Sequence, residues 1–570
     1  MKNKICLYVS LLLLVISFNA WSSASFEITP DIDTLVPEDA LVYFQISNPE
    51  NLMESIDSFF MATGMNEMTG GMPLQDFIYM LLASEESDFS LEYLNLSKPV
   101  GVVILPSTNK KSEKDDVEFM MFLPINTSIN ILDLIKNTKE KDDTWTTIFM
   151  NYLVYFSSED LKKSFPSNNI SDLSRLDTYS NDSLSIYLDI DGLMNTFDIN
   201  TSELAKELEY QGNAGSDISK SMVKGYFNLF NQLKVFFSNI ELNRKGITFK
   251  SDLFFDAEME TIINSFQSVN NIKEWSSYLP EEGFFQSIYS MASVDQKIIL
   301  ERILDYLFPL GENDPIMAEL KRNMGMFSDY IGDGGAFSID FIPLIAQETG
   351  KNKNNSSFKN LSDDNFPFGI NINMVADLTD PEGYLREFKK YYSDQKINNI
   401  MDSLYADLDF SLHVTMEEIN TNEISPVFRL RYQLQERKTK SENNSSEMEP
   451  LKNFLNNMEF WYHISNEKMY SYIGSLGLEG LISMTEKNKT EKNWVISAPD
   501  NSNSIWNFSL INILKIPGAL SEFENLLPGK NIPFDISGFS TFENGSIHSN
   551  ANISSEDIGN IYKLFKNMDF

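Results

Sequence analysis

One short pattern constrains this chain more than any other: an apolar β-favouring run, a polar corner holding proline, then an amphipathic helix. Leu41 to Ile46 is the run and Ser47-Asn48-Pro49-Glu50 is the corner. Leu52, Met53, Ile56, Phe59 and Phe60 then fall on one helical face. Asn before Pro, with an acidic residue close behind, starts a helix because side chain and charge both suit its positive end. The pattern returns 332 residues later without a gap. Ile370 to Leu378 holds the strand, Thr379-Asp380-Pro381-Glu382 is the corner, and Tyr384, Leu385, Phe388, Tyr391 and Tyr392 form the helix face. Looser copies follow Phe119–Leu123 (Ile131, Leu132, Ile135), Leu184–Leu188 (Gly192, Leu193, Met194) and Ile505–Ile513 (Pro517, Leu520, Phe523, Leu527). Such units must lay helices against a sheet.

Two further correspondences point to a duplication. Gly246 to Phe266 aligns with Gly545 to Phe565 at an offset of 299, matching Phe254 with Ile553, Met259 with Ile558 and Phe266 with Phe565. Val36-Pro37-Glu38-Asp39-Ala40 and Leu279-Pro280-Glu281-Glu282-Gly283 both precede strands, at an offset of 243. The second half then needs 89 inserted residues before the match at 332. Hairpins are expected at Thr144–Met150 with Tyr152–Ser157, about Asn151, and at Glu459–Ile464 with Lys468–Ile473, about Asn466-Glu467. Asp407 to Thr415 alternates, with Leu408, Phe410, Leu412 and Val414 on one side, which suits antiparallel sheet covered on its apolar face only. The expected fold is α+β: two related halves, 25–275 and 276–570, each an antiparallel sheet packed with helices in strand-Pro-helix units. Polar stretches at 106–116, 351–365, 436–450 and 485–493 are expected loops.

Residues 1–24 have the order of a signal peptide. Lys2 and Lys4 precede an apolar core from Leu7 to Phe18, and Ser22-Ser23-Ala24 offers small residues for cleavage. The core is shorter than the roughly 20 residues of a membrane span. A retained anchor is the alternative. Cys6 is the sole cysteine and lies inside this segment, with Ser25 where a lipoprotein would need a thiol. The mature chain of 546 residues therefore has neither disulfides nor thiolate ligands, and must be held by apolar burial. Its net charge, −39 once Lys2 and Lys4 are removed from a total of −37, repels nucleic acid and anionic lipid.

Motifs for chemistry are sparse. Asp115-Asp116, Asp142-Asp143 and Asp363-Asp364 lack the spacing of a calcium loop, and Asp189-Ile190-Asp191-Gly192 lacks its third carboxylate. His413, His463 and His548 are expected at ordinary surface positions; alternation turns His413 away from the apolar face of its strand and His463 away from Phe460, Tyr462 and Ile464, although His463 shares its side with Trp461. Ser221-Met222-Val223-Lys224 has the spacing of a lysine-activated serine without its companion motifs, and is expected to be an amphipathic helix. Gly332-Asp333-Gly334-Gly335 precedes a strand rather than following one, so a tight turn with positive backbone angles is expected. Asn-x-Ser/Thr triplets, as at Asn95, Asn181 and Asn507, follow from composition and imply no glycosylation.

Val36 to Phe44, running into Asn48-Pro49-Glu50-Asn51-Leu52, resembles a family of exported bacterial proteins known only as a domain of unknown function. Leu94 to Gly101 and Phe122-Leu123-Pro124-Ile125 are similar to features repeated in that group. The resemblance implies an exported α+β protein and carries over no substrate, cofactor or catalytic residue. The expected function is that of a non-enzymatic envelope protein, periplasmic or extracellular, binding or organising an unknown protein or envelope component through a sheet face or cleft. The alternatives are a carrier for an apolar or lipid ligand and a carboxylate-based hydrolase. No cofactor, metal, nucleic acid or stable membrane span after cleavage is expected.

Overall fold

A computed structural model describes residues 35–74, 76–77, 93–107, 117–126, 145–165, 183–197, 231–266, 272–307, 318, 321–322, 325, 327–343, 368–393, 397–399, 402, 410–436, 459–474, 476–486, 492–509 and 534–566. The signal segment, Ser221–Lys224, the three acidic pairs and the helix faces expected at 131–135 and 517–527 lie outside the described residues. The strands are β1 Val42–Ile46, β2 Val100–Pro106, β3 Val117–Pro124, β4 Trp145–Phe149, β5 Tyr152–Phe156, β6 Ser183–Asp189, β7 Leu233–Asn243, β8 Gly246–Phe255 and β9 Phe285–Ser290. They continue as β10 Ile331–Pro343, β11 Phe368–Leu378, β12 Phe410–Ile419, β13 Val427–Glu436, β14 Glu459–Ser465, β15 Lys468–Gly474, β16 Ser504–Ser509, β17 Asp535–Glu543 and β18 Ser546–Ser554. The helices are α1 Pro49–Thr63, α2 Glu159–Ser164, α3 Ile190–Thr196, α4 Ala257–Asn264, α5 Ser293–Leu307, α6 Pro381–Ser393, α7 Gly477–Thr485, α8 Asn493–Ile496 and α9 Ser555–Lys566. Antiparallel sheet with helices packed on it is the α+β class the sequence implies.

The chain forms two compact units. The first comprises Met1–Asn200, Leu233–Asp256 and Ser546–Phe570; the second comprises Thr201–Gln232 and Ala257–Gly545. In the first, strands pair antiparallel in the order β4-β5-β3-β2-β1-β6-β7-β8-β18. In the second the order is β12-β13-β14-β15-β11-β10-β9-β16-β17, again antiparallel. Residue 275, where the sequence reading joins its halves, lies in the 3-10 turn Ile272–Tyr278 of the second unit.

Local chemistry builds the corners as expected. Asn48 Oδ1 accepts from Asn51 N at 3.0 Å and Asp380 Oδ1 from Gly383 N at 2.9 Å, so α1 and α6 start on the same cap. Both hairpins form. Met150 and Asn151, then Asn466 and Glu467, all have positive φ, as a two-residue turn matched to strand twist requires. The match at 332 nevertheless relates strands at different places. β1 lies between β2 and β6, whereas β11 lies between β10 and β15, where the first unit has β3. β9, which follows Leu279-Pro280-Glu281-Glu282-Gly283, lies between β10 and β16. A capped proline corner is a local device that any strand feeding a helix can use.

Apolar clusters and helices cover much of each sheet. In the first unit Tyr43, Val103, Met120, Phe122 and Val154 form a core with Leu161 of α2. On the opposite face α1 packs against β7, burying Leu52, Met53 and Phe59. In the second unit Ile288, Val375, Trp461, Tyr470 and Tyr472 pack with Leu481 of α7 and Val495 of α8. On the other face Ala376, Val414, Phe428 and Leu430 pack with Tyr384 and Phe388 of α6. Side chains of this size contribute about 1.5–3 kcal/mol each when fully buried. At β14 and β15, turn Ile272–Tyr278, α7 and α8 cover the side that carries Trp461 and Tyr470.

Candidate functional site

Polar side chains break the apolar face of the first unit along one strip. Register places Gln45 of β1 beside Ser185 of β6, Ser185 beside Asn239 of β7, Asn239 beside Lys250 of β8, and Lys250 beside Asn550 of β18. Ser185 and Asn239 are buried, and Asn239 Nδ2 donates to Ser185 Oγ at 3.2 Å. Asn239 Oδ1 has no hydrogen-bond partner, a costly state for a buried acceptor. Gln45 Oε1 accepts from Tyr43 at 2.8 Å. Towards β18 the strip opens. Lys250 Nζ meets Glu241 at 2.5 Å, Thr248 Oγ1 donates to Asn552 Oδ1 at 2.8 Å, and Asn552 Nδ2 donates to Asn550 Oδ1 at 2.7 Å.

The same face carries a Ser–His–Asp line. His548 stands directly across from Asp252, with Nδ1 2.7 Å from Asp252 Oδ1. Its Nε2 is 2.9 Å from the Oγ of Ser546, two residues back along β18. If Nδ1 donates to the carboxylate, Nε2 is left to accept from the serine, the hydrogen-bond order of a hydrolytic relay. Ser546 is only 1% exposed, so its hydroxyl is closed to an incoming carbonyl. The His548 and Asp252 side chains are 32% and 23% exposed, and these a ligand can reach.

The other histidines divide. His413 is half-buried on β12, opposite Gln433. His463 is 3% exposed, which corrects the surface position expected for it. Alternation does turn it away from Phe460, Tyr462 and Ile464, but into the core of Trp461 and Tyr470. Its ring stacks on Tyr470 with centroids 5.9 Å apart, and Nδ1 lies 2.8 Å from the Pro426 carbonyl.

Other singled-out motifs are structural. Asp189 caps α3 by accepting from Gly192 N at 3.0 Å, and Asp191 pairs with Lys234 at 2.8 Å. Gly332-Asp333-Gly334-Gly335 lies inside β10, not in a turn, and its glycines are not among the residues with positive φ. They are there for close approach. A Cβ on Gly334 would sit 2.5 Å from Trp275 Nε1, and one on Gly335 2.6 Å from Val375 O. Asp333 Oδ1 accepts from Ser293 N at the start of α5. Asn507 is buried in β16, beyond the reach of a glycosylating enzyme.

Two perturbed groups are accounted for by packing. Burial pushes the Lys492 ammonium down, against the pull of Glu281, while its Nζ donates to the carbonyls of Pro280 and Glu281 at 2.7 and 2.9 Å. Burial raises the Asp57 carboxyl, opposed by Leu74 N and reinforced by Asp76 and Glu54. Among the described residues no three of His, Cys, Asp and Glu gather as a metal site.

No protein family, curated protein or solved structure matches this chain. The Ser–His–Asp line escaped the sequence because Asp252 and His548 are 296 positions apart. Ser546-x-His548 on one strand face is the only local trace it left.

Proposed function

We propose that the chain is an exported, non-enzymatic envelope protein built from two related halves, which binds a hydroxyl- and amide-rich ligand through the polar strip of its first unit. The strip carries this reading. Hydrogen-bonding groups of both kinds line one strand face, from the buried Ser185 and Asn239 to the partly exposed Lys250, Asp252 and His548. The duplication is supported by strand order: β5-β3-β2-β1-β6-β7 and β15-β11-β10-β9-β16-β17 run in parallel sequence. The β4–β5 and β14–β15 hairpins match as well, and β12–β13 is the extra piece. The helices after β8 and β18 exchange places. α9 lies on α1, where Lys566 pairs with Glu67, and α4 lies in the second unit, where Glu258 pairs with Arg302 of α5. The family resemblance at Val36–Leu52 belongs to the same reading.

Native mass spectrometry of the protein taken from its own envelope tests this. The mature mass should begin at Ser25, and a retained glycan- or peptide-like partner should be lost in Asp252→Ala/His548→Ala/Asn550→Ala. A partner held equally by that variant, or none in the wild type, refutes the binding face.

A further inference from the structure

Methionine is one residue in three across residues 61–72, against 25 in the chain of 570. Met61 ends the exposed side of α1, Met65 and Met68 lie in the 3-10 turn Met65–Thr69, and Met72 follows a Gly-Gly pair. Met61 is 71% exposed, Met68 59% and Met72 36%. Large apolar side chains belong inside, and α1 does bury Met53, Leu52 and Phe59. Met61, Met68 and Met72 of this segment are turned out instead, with Met65 half-buried between them.

The backbone that presents them is fixed. Gly64, Gly70 and Gly71 all have positive φ, and a β-carbon would be strained at each. Gly70 N donates to Glu67 O at 3.0 Å and Gly71 N to Asn66 O at 2.9 Å. The buried Thr69 donates its hydroxyl to Met72 O at 2.6 Å, and Leu74 N donates to Asp57 Oδ1 at 2.7 Å. A 3-10 turn brings residues three apart onto one face, so Met65 and Met68 present their side chains together. Three rotatable bonds let neighbouring methionines converge from a rigid base.

Thioether sulfur is a soft ligand that selects monovalent copper over zinc, calcium or magnesium. The mature chain expected from the sequence has no cysteine, so methionine is its soft donor. Glu54 and Asp76 supply negative charge beside the loop; burial raises the Asp57 carboxyl and their charge raises it further. Glu67 is paired with Lys566 and contributes little to that field. We propose that Met61, Met65, Met68 and Met72 form a binding site for one soft monovalent cation, Cu(I) or its analogue Ag(I). No redox step is involved, and the ion enters and leaves as the monovalent species.

Titration of the full chain with Ag(I), and with Cu(I) kept reduced under nitrogen, in competition with a chromophoric chelator, should show one equivalent bound. Zn(II) and Ca(II) should not displace it. Met61→Leu/Met65→Leu/Met68→Leu/Met72→Leu keeps the apolar bulk and should bind none, with an unchanged circular dichroism spectrum. In the wild type labelled at methionine methyls, Ag(I) should shift these four signals and leave the buried Met53 in place, a readout independent of how the variant folds. A wild type that leaves Ag(I) with the chelator, a Leu variant that still binds it, or methyl shifts elsewhere would overturn the site. Adherence to lipid vesicles by wild type and Leu variant alike, without Ag(I) uptake, would assign the loop to apolar contact instead.

Discussion

His463 and His548 sit on strands of two different units and obey the same period-two rule, yet they meet opposite fates. His463 is turned away from Phe460, Tyr462 and Ile464 of its strand, and His548 from Ile547 and Ile553 of its own. For His463 that side is roofed by α7, α8 and the turn Ile272–Tyr278, and the ring is buried against Tyr470. For His548 the corresponding side stays half open, and the ring bridges Asp252 and Ser546. Alternation tells which side a residue takes; what covers that side is decided by segments far away in sequence. The second unit accordingly closes over tyrosine and tryptophan, whereas the first grades from an apolar core into a polar, ligand-accessible strip.

The largest expected effect lies in the closed unit. Trp461 donates Nε1–H to Glu459 at 2.9 Å and has the Arg429 guanidinium over its ring at 5.1 Å. Trp461→Ala should cost about 3–5 kcal/mol in urea unfolding, by lost transfer energy and the cavity left behind. The half-buried Trp145→Ala in the first unit should cost less than half of that. Equal losses would break the contrast.

A collective effect comes next. Burial raises the phenol pKa of Tyr384, Tyr392, Tyr432 and Tyr462, and pushes Tyr289, Tyr470 and Tyr472 up to about 12. An unfolded tyrosine ionises near pH ~10, so the folded state holds these protons longer. Their stabilisation is full below that pH and is lost as pH rises through 12. The urea midpoint followed by circular dichroism should fall steadily over that window; a flat profile would mean that the aromatic core is open to water.

The smallest effects compare the histidines themselves. His463→Ala removes a buried ring and the partner of the Pro426 carbonyl, and should cost about 1–3 kcal/mol. His548→Ala breaks a half-exposed pair and should cost only about 0–1 kcal/mol. Thermal unfolding of both variants gives the order, and a reversal would place the closed face in the first unit.

Much of the framework was legible because its causes are local. Asn48 and Asp380 cap helices that their own Pro and apolar spacing announce, and Asn466-Glu467 closes a hairpin visible as two β-favouring runs. The offset of 299 was one residue out at its first match. Gly246 is the first residue of β8, whereas Gly545 lies in the turn before β18, so the two glycines do different work. Gly246 has φ +150°, and a Cβ there would lie 2.0 Å from Ile553 O across the β8–β18 pair. That constraint arises only once residues some 300 positions apart have paired. Gly332-Gly334-Gly335 misled for the same reason, since what they make room for (Asp377, Trp275, Tyr289) is remote in sequence.

The amino-acid order by itself determined the α+β class, the capped corners and the two hairpins, because caps, turns and period-two or helical spacing act within a few residues. Tertiary structure alone decided which histidine is buried, that β11 pairs with β10 and β15, and that Ser546, His548 and Asp252 meet. Those outcomes depend on strand neighbours and covering helices, which chain proximity does not specify and only the packed sheet supplies.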